Sequence, residues 1–520
     1  MFIILFLSIL LFLLYCYFTK NHDYWAKRNV KHDKPAPFFG NLYHNVMGIK
    51  SITEVSAELY RKYPDEKVVG FYRGRTPELV IRDLDIARRI LNIDFAYFHP
   101  RGVGRDPRQE PVLANLFHVD GDTWKLLRQR LTVAFTTAKL KNMFPLIIEC
   151  AQKLQSVGDD IIMNKGGECD VRELMARFTT EFIGACGFGI QMDAINNENS
   201  LFRELGRKIF RRSWRNYVLV AVWELLPELR TYAQKFLAEP HVSTAIECLL
   251  INIRAQRNYK PCGRNDFVDL LLELEAKGKI QGESVEKRGS DGKPELVELE
   301  MDIKLMAAQM FVFFAAGFET SSSATSYTLH QLAYHPEIQA NIQQQIDAVL
   351  RKYDDKLCYD SISEMTLLSN AFKEAMRLFP SLGVLHRVCA KQYTIPELGI
   401  TIDAGVKIMI PMQGIQTDEK YFNDPMEFNP DRFDDSMESH NKYAYLPFGE
   451  GPRQCIGARL GEMQSLAGLA VVLRRFSVQP GPRTRRQPEV NHGSNVVQSV
   501  AGGLPLRLQL RTEQLSKSSI

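Results

Sequence analysis

The sequence predicts a mainly α-helical fold with small β-sheets, organised around one long central helix and preceded by a separate apolar N-terminal helix. Three observations lead there. From about Asp85 to Leu274, apolar residues recur at three- and four-residue spacing, the period of helices buried along one side. From Asp302 to His335 a helical pattern runs unbroken and is apolar almost all round at Met310 to Phe318, which puts that rod in the middle of the fold. Alternating runs of the strand type are short and lie on either side of these helical stretches.

The first stretch, "MFIILFLSILLFLLYCYF", is about long enough to cross a bilayer, which takes roughly 17 to 25 residues. No basic residue precedes it and no small-residue cleavage site follows. That favours a retained signal anchor, with a cleaved or interfacial segment as the alternative. Lys20, Lys27, Arg28, Lys31 and Lys34 follow, against Asp23 and Asp33, and this positive excess places the rest of the chain in the cytosol. The expected division is an anchor over 1–19, a basic linker over 20–41 stiffened by Pro35 and Pro37, one large domain over 42–511 and a tail over 512–520.

Within the large domain, a helix is expected near Ser51 to Lys62, then two short strands in "KVVGFYRGRTPELVIRD", then the helical middle. The polar "GKIQGESVEKRGSDGKPELVE" at 278–298 reads as an exposed loop. Asp302 is a natural cap for the central helix, whose roughly 33 residues at about 1.5 Å each make a rod of about 50 Å. Later, "YTIPELGITIDAGVKIMIP" reads as alternating runs around the turn "DAG", and "SNVVQSVAGGLPLRLQLR" as a terminal hairpin.

Composition narrows the function. A hydrophobic share of 45% and a charged share of 24% are ordinary for a globular chain, and a net charge of +4 is too small to argue for a nucleic-acid partner. Nine cysteines, at 16, 150, 169, 186, 248, 262, 358, 389 and 455, include no CxxC pair and no Cys/His box. They fit reduced, mostly core thiols better than a disulfide framework or a zinc site. No GxGxxG follows a strand, and no flavin module is recognisable.

One cysteine stands apart, in "FGEGPRQCIG" at 448–457. It precedes the amphipathic run "IGARLGEMQSLAGLAVVLRRF", so Cys455 lies at a helix N-terminus, where free N–H groups and the dipole favour an anion. Gly449, Gly451 and Gly457 let backbone and a flat ligand come close, and Arg453 adds positive charge. On these residues alone, the thiolate is an axial haem ligand or a nucleophile.

The pattern Phe448-x-x-Gly451-x-Arg453-x-Cys455-x-Gly457 resembles the haem-binding signature of the cytochrome P450 superfamily. Glu374 and Arg377 in "EAMR" resemble that family's Glu-x-x-Arg pair, and Arg432 in "NPDRF" the third member of its buried ionic triad; Asp431 stands where the family usually has Glu. Without the other motifs, an i,i+3 pair would read as a solvated surface contact. Trp124 and Arg128 in "WKLLR" resemble the helix that hydrogen-bonds a haem propionate. Carboxylates carried into an apolar site need paired donors; Arg453, Arg387 in "LHRVC" and Arg101 in "FHPRG" are further candidates. In "AAGFETSS" at 315–322, Gly317, Glu319 and Thr320 interrupt the apolar rod. Taken alone this is a helix kink with hydroxyls bonded back one turn. The resemblance implies an acid–alcohol pair facing bound dioxygen, Thr320 holding ordered water and Glu319 relaying protons.

The motifs keep the family's order from Pro35 to about Arg511, and the layout further resembles the insect xenobiotic-metabolising branch. The resemblance implies heme b (iron protoporphyrin IX) on Cys455, with Phe448, Gly449 and Gly457 around it. It implies insertion of one oxygen atom from O2 into a lipophilic small molecule, xenobiotic or endogenous. Electrons would come from NADPH through a separate NADPH–cytochrome reductase at the endoplasmic reticulum membrane, with the catalytic domain on the cytosolic face. The basic run Lys125, Arg128, Arg130, Lys139 and Lys141 either steers an acidic flavoprotein or is an ordinary solvated face. The segment 202–223, mixing basic and aromatic residues, either dips into the bilayer surface or is a basic surface helix. Phe98, Phe117, Phe311, Phe314 and Phe318 fall in segments that line the substrate pocket in relatives, although each alone reads as core. Two other readings stand beside this one: a haem-thiolate peroxide isomerase or dehydratase, against which Glu319–Thr320 argues, and a non-catalytic haem sensor or carrier.

Overall fold

The computed structural model describes residues 2–103, 106–197, 200–210, 214–237, 240–264, 266–434, 442–493 and 497–511. The expected tail at 512–520 and residues 211–213 of the basic–aromatic segment lie outside the described residues. The helices that position the site are Phe2–Thr19 (α1), Ile52–Lys62 (α2), Gly121–Leu131 (α3), Thr137–Lys165 (α4), Val171–Phe182 (α5), Trp214–Leu225 (α6), Ile303–Tyr334 (α7), Thr366–Leu378 (α8) and Ala458–Arg475 (α9). The strands are Val68–Arg73 (β1), Thr76–Ile81 (β2), Glu168–Asp170 (β3), Lys279–Arg288 (β4), Pro294–Glu300 (β5), Leu385–Val388 (β6), Tyr393–Ile395 (β7), Ile400–Ile402 (β8), Lys407–Ile410 (β9), Phe476–Pro480 (β10) and Pro505–Leu510 (β11).

Local chemistry accounts for the element ends. Ser51 Oγ accepts from the Glu54 N–H while the Glu54 carboxylate accepts from the Ser51 N–H, a capping box that starts α2 where the sequence places it. Asp302 caps α7 by accepting from the Leu305 N–H at 2.7 Å. From there α7 runs 32 residues through the largest apolar cluster, which it shares with α4, α5, α8 and α9. Two stacked ring pairs fix its rotation: Phe313 on Phe267 and Tyr327 on Phe379, each with centroids 4.5 Å apart and each contributing about 0.5–1.5 kcal/mol beyond area burial. Both α1 and α7 are long and apolar enough to cross a membrane, but α7 is mostly buried inside the fold and α1 is not.

The sheets sit beside this helical body. Strands β1, β2, β9 and β6 form one four-stranded sheet in that order, and β10, β11 and β3 form a second. Three sequence expectations are corrected here. The segment 278–298 is not a loop: β4 and β5 pair antiparallel from Lys279↔Glu300 to Arg288↔Pro294. Ile280, Val297 and Leu299 turn to the core, but the charged residues and glycines between them break the apolar alternation by which a strand is read. The turn at "DAG" exists, with Gly405 at φ +89°, but the strands flanking it do not pair with each other. Strand β8 pairs with β7, whereas β9, apolar and buried, is held between β2 and β6. Nor is the C-terminus a hairpin of its own halves, because β11 pairs with β10 and β3. The nine cysteines are free thiols, of which only Cys150, Cys186 and Cys389 are buried.

Candidate active site

Cys455 lies in a loop closed on itself. Its N–H donates to the Phe448 carbonyl at 2.8 Å, and the Gln454 N–H to the Gly451 carbonyl at 3.0 Å. Gly449 and Gly451 take φ of +71° and +77°, and a Cβ on Gly451 would stand 2.0 Å from the Leu91 carbonyl oxygen, so only glycine fits there. Gly457 leads into α9, and its backbone N–H bonds the Cys455 sulfur. The cysteine retains accessible surface although protein surrounds it on all sides, so its sulfur faces an interior space and not bulk solvent. The same holds for one stripe of the otherwise buried α7, where Ala316 is exposed and Thr320 half-exposed.

Burial pushes the Cys455 thiol pKa up; the Gly457 N–H and the guanidinium groups of Arg101 and Arg128 pull against it. The charges that reach the sulfur are therefore these two, and not Arg453 as the local sequence suggests. Arg453 is fully committed: its Nε donates to the His99 carbonyl at 2.9 Å, Nη1 to the Val119 carbonyl at 3.0 Å and Nη2 to Asp120 at 2.5 Å. Its guanidinium also lies 4.2 Å from the centroid of the buried Trp124 ring. Arg101 donates to the carbonyls of Arg453 (2.7 Å) and Phe117 (3.2 Å), and Arg128 to that of Gln454 (2.8 Å). Arg387 is buried; its Nη1 reaches the His386 carbonyl, and its Nε has no partner.

Four guanidinium groups thus gather with Asp120 as the acid that Arg101, Arg387 and Arg453 all feel. Burial, then mutual repulsion, pushes Arg387 and Arg453 down to about 9, and burial brings Arg101 to about 10. Uncompensated positive charge around an orphaned guanidinium nitrogen, beside a sulfur facing an interior space, suits a flat ligand with anionic groups. Haem with two propionates has that form.

The acid–alcohol pair is divided. Thr320 Oγ1 donates back one turn to the Ala316 carbonyl at 2.7 Å, yet α7 stays continuous. Glu319 is buried and turns the other way, into an ion pair with Arg172 of α5. A Cβ on Gly317 would stand 2.3 Å from Ile183 Cδ1, so the glycine serves close helix packing. Gln464 of α9 ties this stretch to the cysteine helix, donating to Ser321 Oγ at 2.5 Å.

Glu374 and Arg377 are fully buried and doubly bonded, at 2.7 and 2.8 Å, and Arg432 Nε reaches Glu374 at 3.3 Å. The triad is therefore interior, not a surface contact. Arg377 also donates to the carbonyls of Gln416 and Pro425, which staples α8 to the chain ahead of the cysteine loop. The basic run on α3 and α4 is partly answered by acids: Lys125 with Glu283 at 4.0 Å and Lys141 with Asp360 at 2.9 Å. Phe98, Phe311, Phe314 and Phe318 are core, Phe98 against Tyr393 and Phe314 against Phe318, while Phe117 underlies the Arg101 guanidinium. Sequence reasoning missed Asp120, His99, Arg172 and Gln464. Asp120 had a readable sign, since it stands at the N-cap of the Trp124 helix, although its carboxylate turns to Arg453 and does not cap.

Known proteins resemble this chain over most of its length. The family model described as Cytochrome P450 matches residues 31–503. "Cytochrome P450 6B6" of Helicoverpa armigera is 37% identical over 491 residues, covering 93% of this chain and 94% of that protein. "Probable cytochrome P450 6a13" of Drosophila melanogaster is 34% identical over 502 residues, covering 96% of each. "Cytochrome P450 6B1" of Papilio polyxenes is 34% identical over 478 residues, covering 92% and 93%.

Proposed function

This chain belongs to the cytochrome P450 family, and from that membership we propose that Cys455 would ligate the haem iron through its thiolate and that Arg101, Arg128, Arg387 and Trp124 would hold the haem propionates. The chain is a haem-thiolate monooxygenase of the insect xenobiotic branch, an oxygen-incorporating oxidoreductase acting with O2, a substrate and a redox partner. The gathering of four arginines over the cysteine loop carries the assignment of residues. Arg453 acts within it as a bracket, tying the loop to His99, Val119 and Asp120.

Haem, when bound, supplies the oxygen-activating redox chemistry, and a thiolate ligand favours O–O cleavage. The chain's part is to position and to manage protons. Thr320 has its own proton directed at Ala316, so Oγ1 offers lone pairs to a water or a protonated oxygen in front of α7. Glu319, paired with a partly exposed Arg172, links the buried helix to the outside and serves the proton supply. The substrate is a lipophilic small molecule. The redox partner is a membrane-bound NADPH–cytochrome reductase, and α1 anchors the catalytic domain, 42–511, on the cytosolic face of the endoplasmic reticulum. The apolar α1 followed by a basic linker supports that placement.

The test is the carbon monoxide difference spectrum of the reduced full-length protein. A Soret band red-shifted as thiolate ligation requires is expected, with its loss in Cys455→His. A protein without porphyrin, or with histidine-ligated porphyrin in the wild type, overturns the assignment. Turnover of a lipophilic probe that needs NADPH and reductase separates the monooxygenase from a peroxide isomerase and from a carrier.

A further inference from the structure

The β4–β5 hairpin has no part in the site described so far, yet it lies along the outer face of α3, the helix that carries Trp124 and Arg128. Two acids at the start of α3 point in opposite directions. Asp120 turns inward to Arg453 Nη2 and the Arg101 N–H. Asp122 turns outward, and its carboxylate accepts from the Ser284 hydroxyl at 2.8 Å and the Val285 N–H at 2.6 Å. The Ser284 oxygen accepts in turn from the N–H groups of Glu286 (3.1 Å) and Lys287 (2.8 Å), which leaves its own proton for Asp122. Ser284 is buried, so this is a sealed contact and not a passing surface one.

Two glycines allow the close approach. A Cβ on Gly282 would stand 2.7 Å from Leu126 Cδ2, and one on Gly121, at φ +60°, 2.5 Å from Glu286 Oε1. Arg130 closes the far edge by donating to the Gln281 carbonyl at 3.2 Å. On the inner side of the same helix, Trp124 lies under Arg453 and Arg128 bonds the Gln454 carbonyl next to Cys455. A helix of 11 residues moves as one body, so a grip on its outer face fixes what its inner face presents to the cysteine loop.

We propose that the β4–β5 hairpin is a clamp on α3, with Asp122 and Ser284 as positioning residues that hold Trp124 and Arg128 against the haem site and so set haem retention and reduction potential. The proposal rests on the reading that Cys455 ligates the haem and that Trp124 and Arg128 face it. The expected sign follows from charge: a guanidinium close to the site favours the added electron, so a loosened Arg128 lowers the potential.

The test uses full-length holoprotein carrying Asp122→Leu or Ser284→Ala, with Asp122→Asn and Ser284→Thr as conservative variants. Expected in the first pair are a lower reduction potential, transfer of haem to a scavenger protein roughly tenfold faster, and faster amide exchange over 121–131. The carboxamide oxygen and the threonine hydroxyl keep the bonding pattern, so the conservative pair should recover wild-type values. Should Asp122→Leu fail to assemble, Ser284→Ala, which removes one oxygen atom, carries the measurement. Potential and haem retention unchanged in Ser284→Ala, whether or not 121–131 exchanges faster, overturn the clamp. A wild type lacking the thiolate spectrum overturns the haem assignment and the clamp together; a normal wild-type spectrum with an unmoved potential overturns the clamp alone.

Discussion

Arg387 carries a charge that the folded chain does not neutralise. Its Nε is buried without a partner, and its neighbours Arg101 and Arg453 repel it. An orphaned buried charge costs folding free energy unless a ligand answers it. Arg387→Met should therefore leave the thermal midpoint of the haem-free protein unchanged or raise it. Haem affinity should fall about 10- to 100-fold, the equivalent of one charge-assisted hydrogen bond of about 1.5–3 kcal/mol. Haem titration beside thermal melts of the same preparations checks both arms, and an affinity equal to wild type removes Arg387 from the site. The sequence offers Arg453, Arg387 and Arg101 as candidates alike; the structure commits Arg453 to protein partners and leaves the orphaned nitrogen on Arg387. The loop around Cys455 was legible because Gly449 and Gly451 are local and their positive φ is a property of the loop itself. Convergence of Arg387 from β6 with Arg101 from a distant loop is tertiary, and a lone arginine in "LHRVC" looks the same whether solvated or buried.

Elements show the same division between local and long-range information. Helices α2 and α7 were readable to their caps, because capping and apolar period are written within a few turns. Strands β1, β2, β8 and β9 were readable as strands, but β9 was not readable in its pairing, since one partner is β2, near the other end of the chain, and the other is β6, with β7 and β8 lying between; β4 and β5 were not read as strands at all. The four-stranded sheet also gathers a buried charge cluster that no motif marks: Arg73 with Glu78 and with Glu224 of α6, Lys407 beside Glu78, and His386 among them. Burial, then repulsion from Arg73, pushes His386 down to about 4. The unfolded chain takes up a proton near its ordinary value of about 6.5. Between those values the unfolded state binds more protons, so stability is lost as pH falls from about 6.5 toward 4. The carboxylates act lower: burial opposes the charge of Glu224, but Arg73 and Lys407 hold it near about 2, so its contribution is lost only below the usual carboxylate range. His386→Gln should thus reduce the loss of unfolding free energy between pH 6.5 and 5 by about 1.5 kcal/mol, as measured by denaturant titration at the two pH values. An acid limb identical to wild type means that His386 is already protonated in the folded protein near pH 6.

At the scale of the whole molecule, the hydropathy of α1 was plain in the sequence and its docking was not. The helix is exposed along its length, but its foot is built into the body. Tyr17 donates to Glu228 at 2.5 Å, Arg75 pairs with the same carboxylate and lies over the Tyr17 ring at 4.3 Å, and Phe18 packs on Phe38. Tyr17 and Glu228 lie 211 positions apart, so only the folded chain brings them together. Glu228, which holds the foot of α1, is followed in the chain by Leu229, Tyr232 and Phe236, all exposed. An apolar patch beside the foot of an anchor is a second contact for the bilayer surface, because burying each such side chain contributes at least about 1 kcal/mol. Deletion of residues 2–19 should then leave the haem spectrum unchanged while retaining a measurable fraction of protein on lipid vesicles. Adding Leu229→Ser, Tyr232→Ser and Phe236→Ser to the truncated protein should lower its partition coefficient by at least about 100-fold, the ratio for about 3 kcal/mol. Sedimentation with neutral vesicles at high salt isolates the apolar term from basic attraction. If the truncated protein stays wholly in the supernatant before those three substitutions, α1 is the sole membrane contact and the patch is ordinary surface.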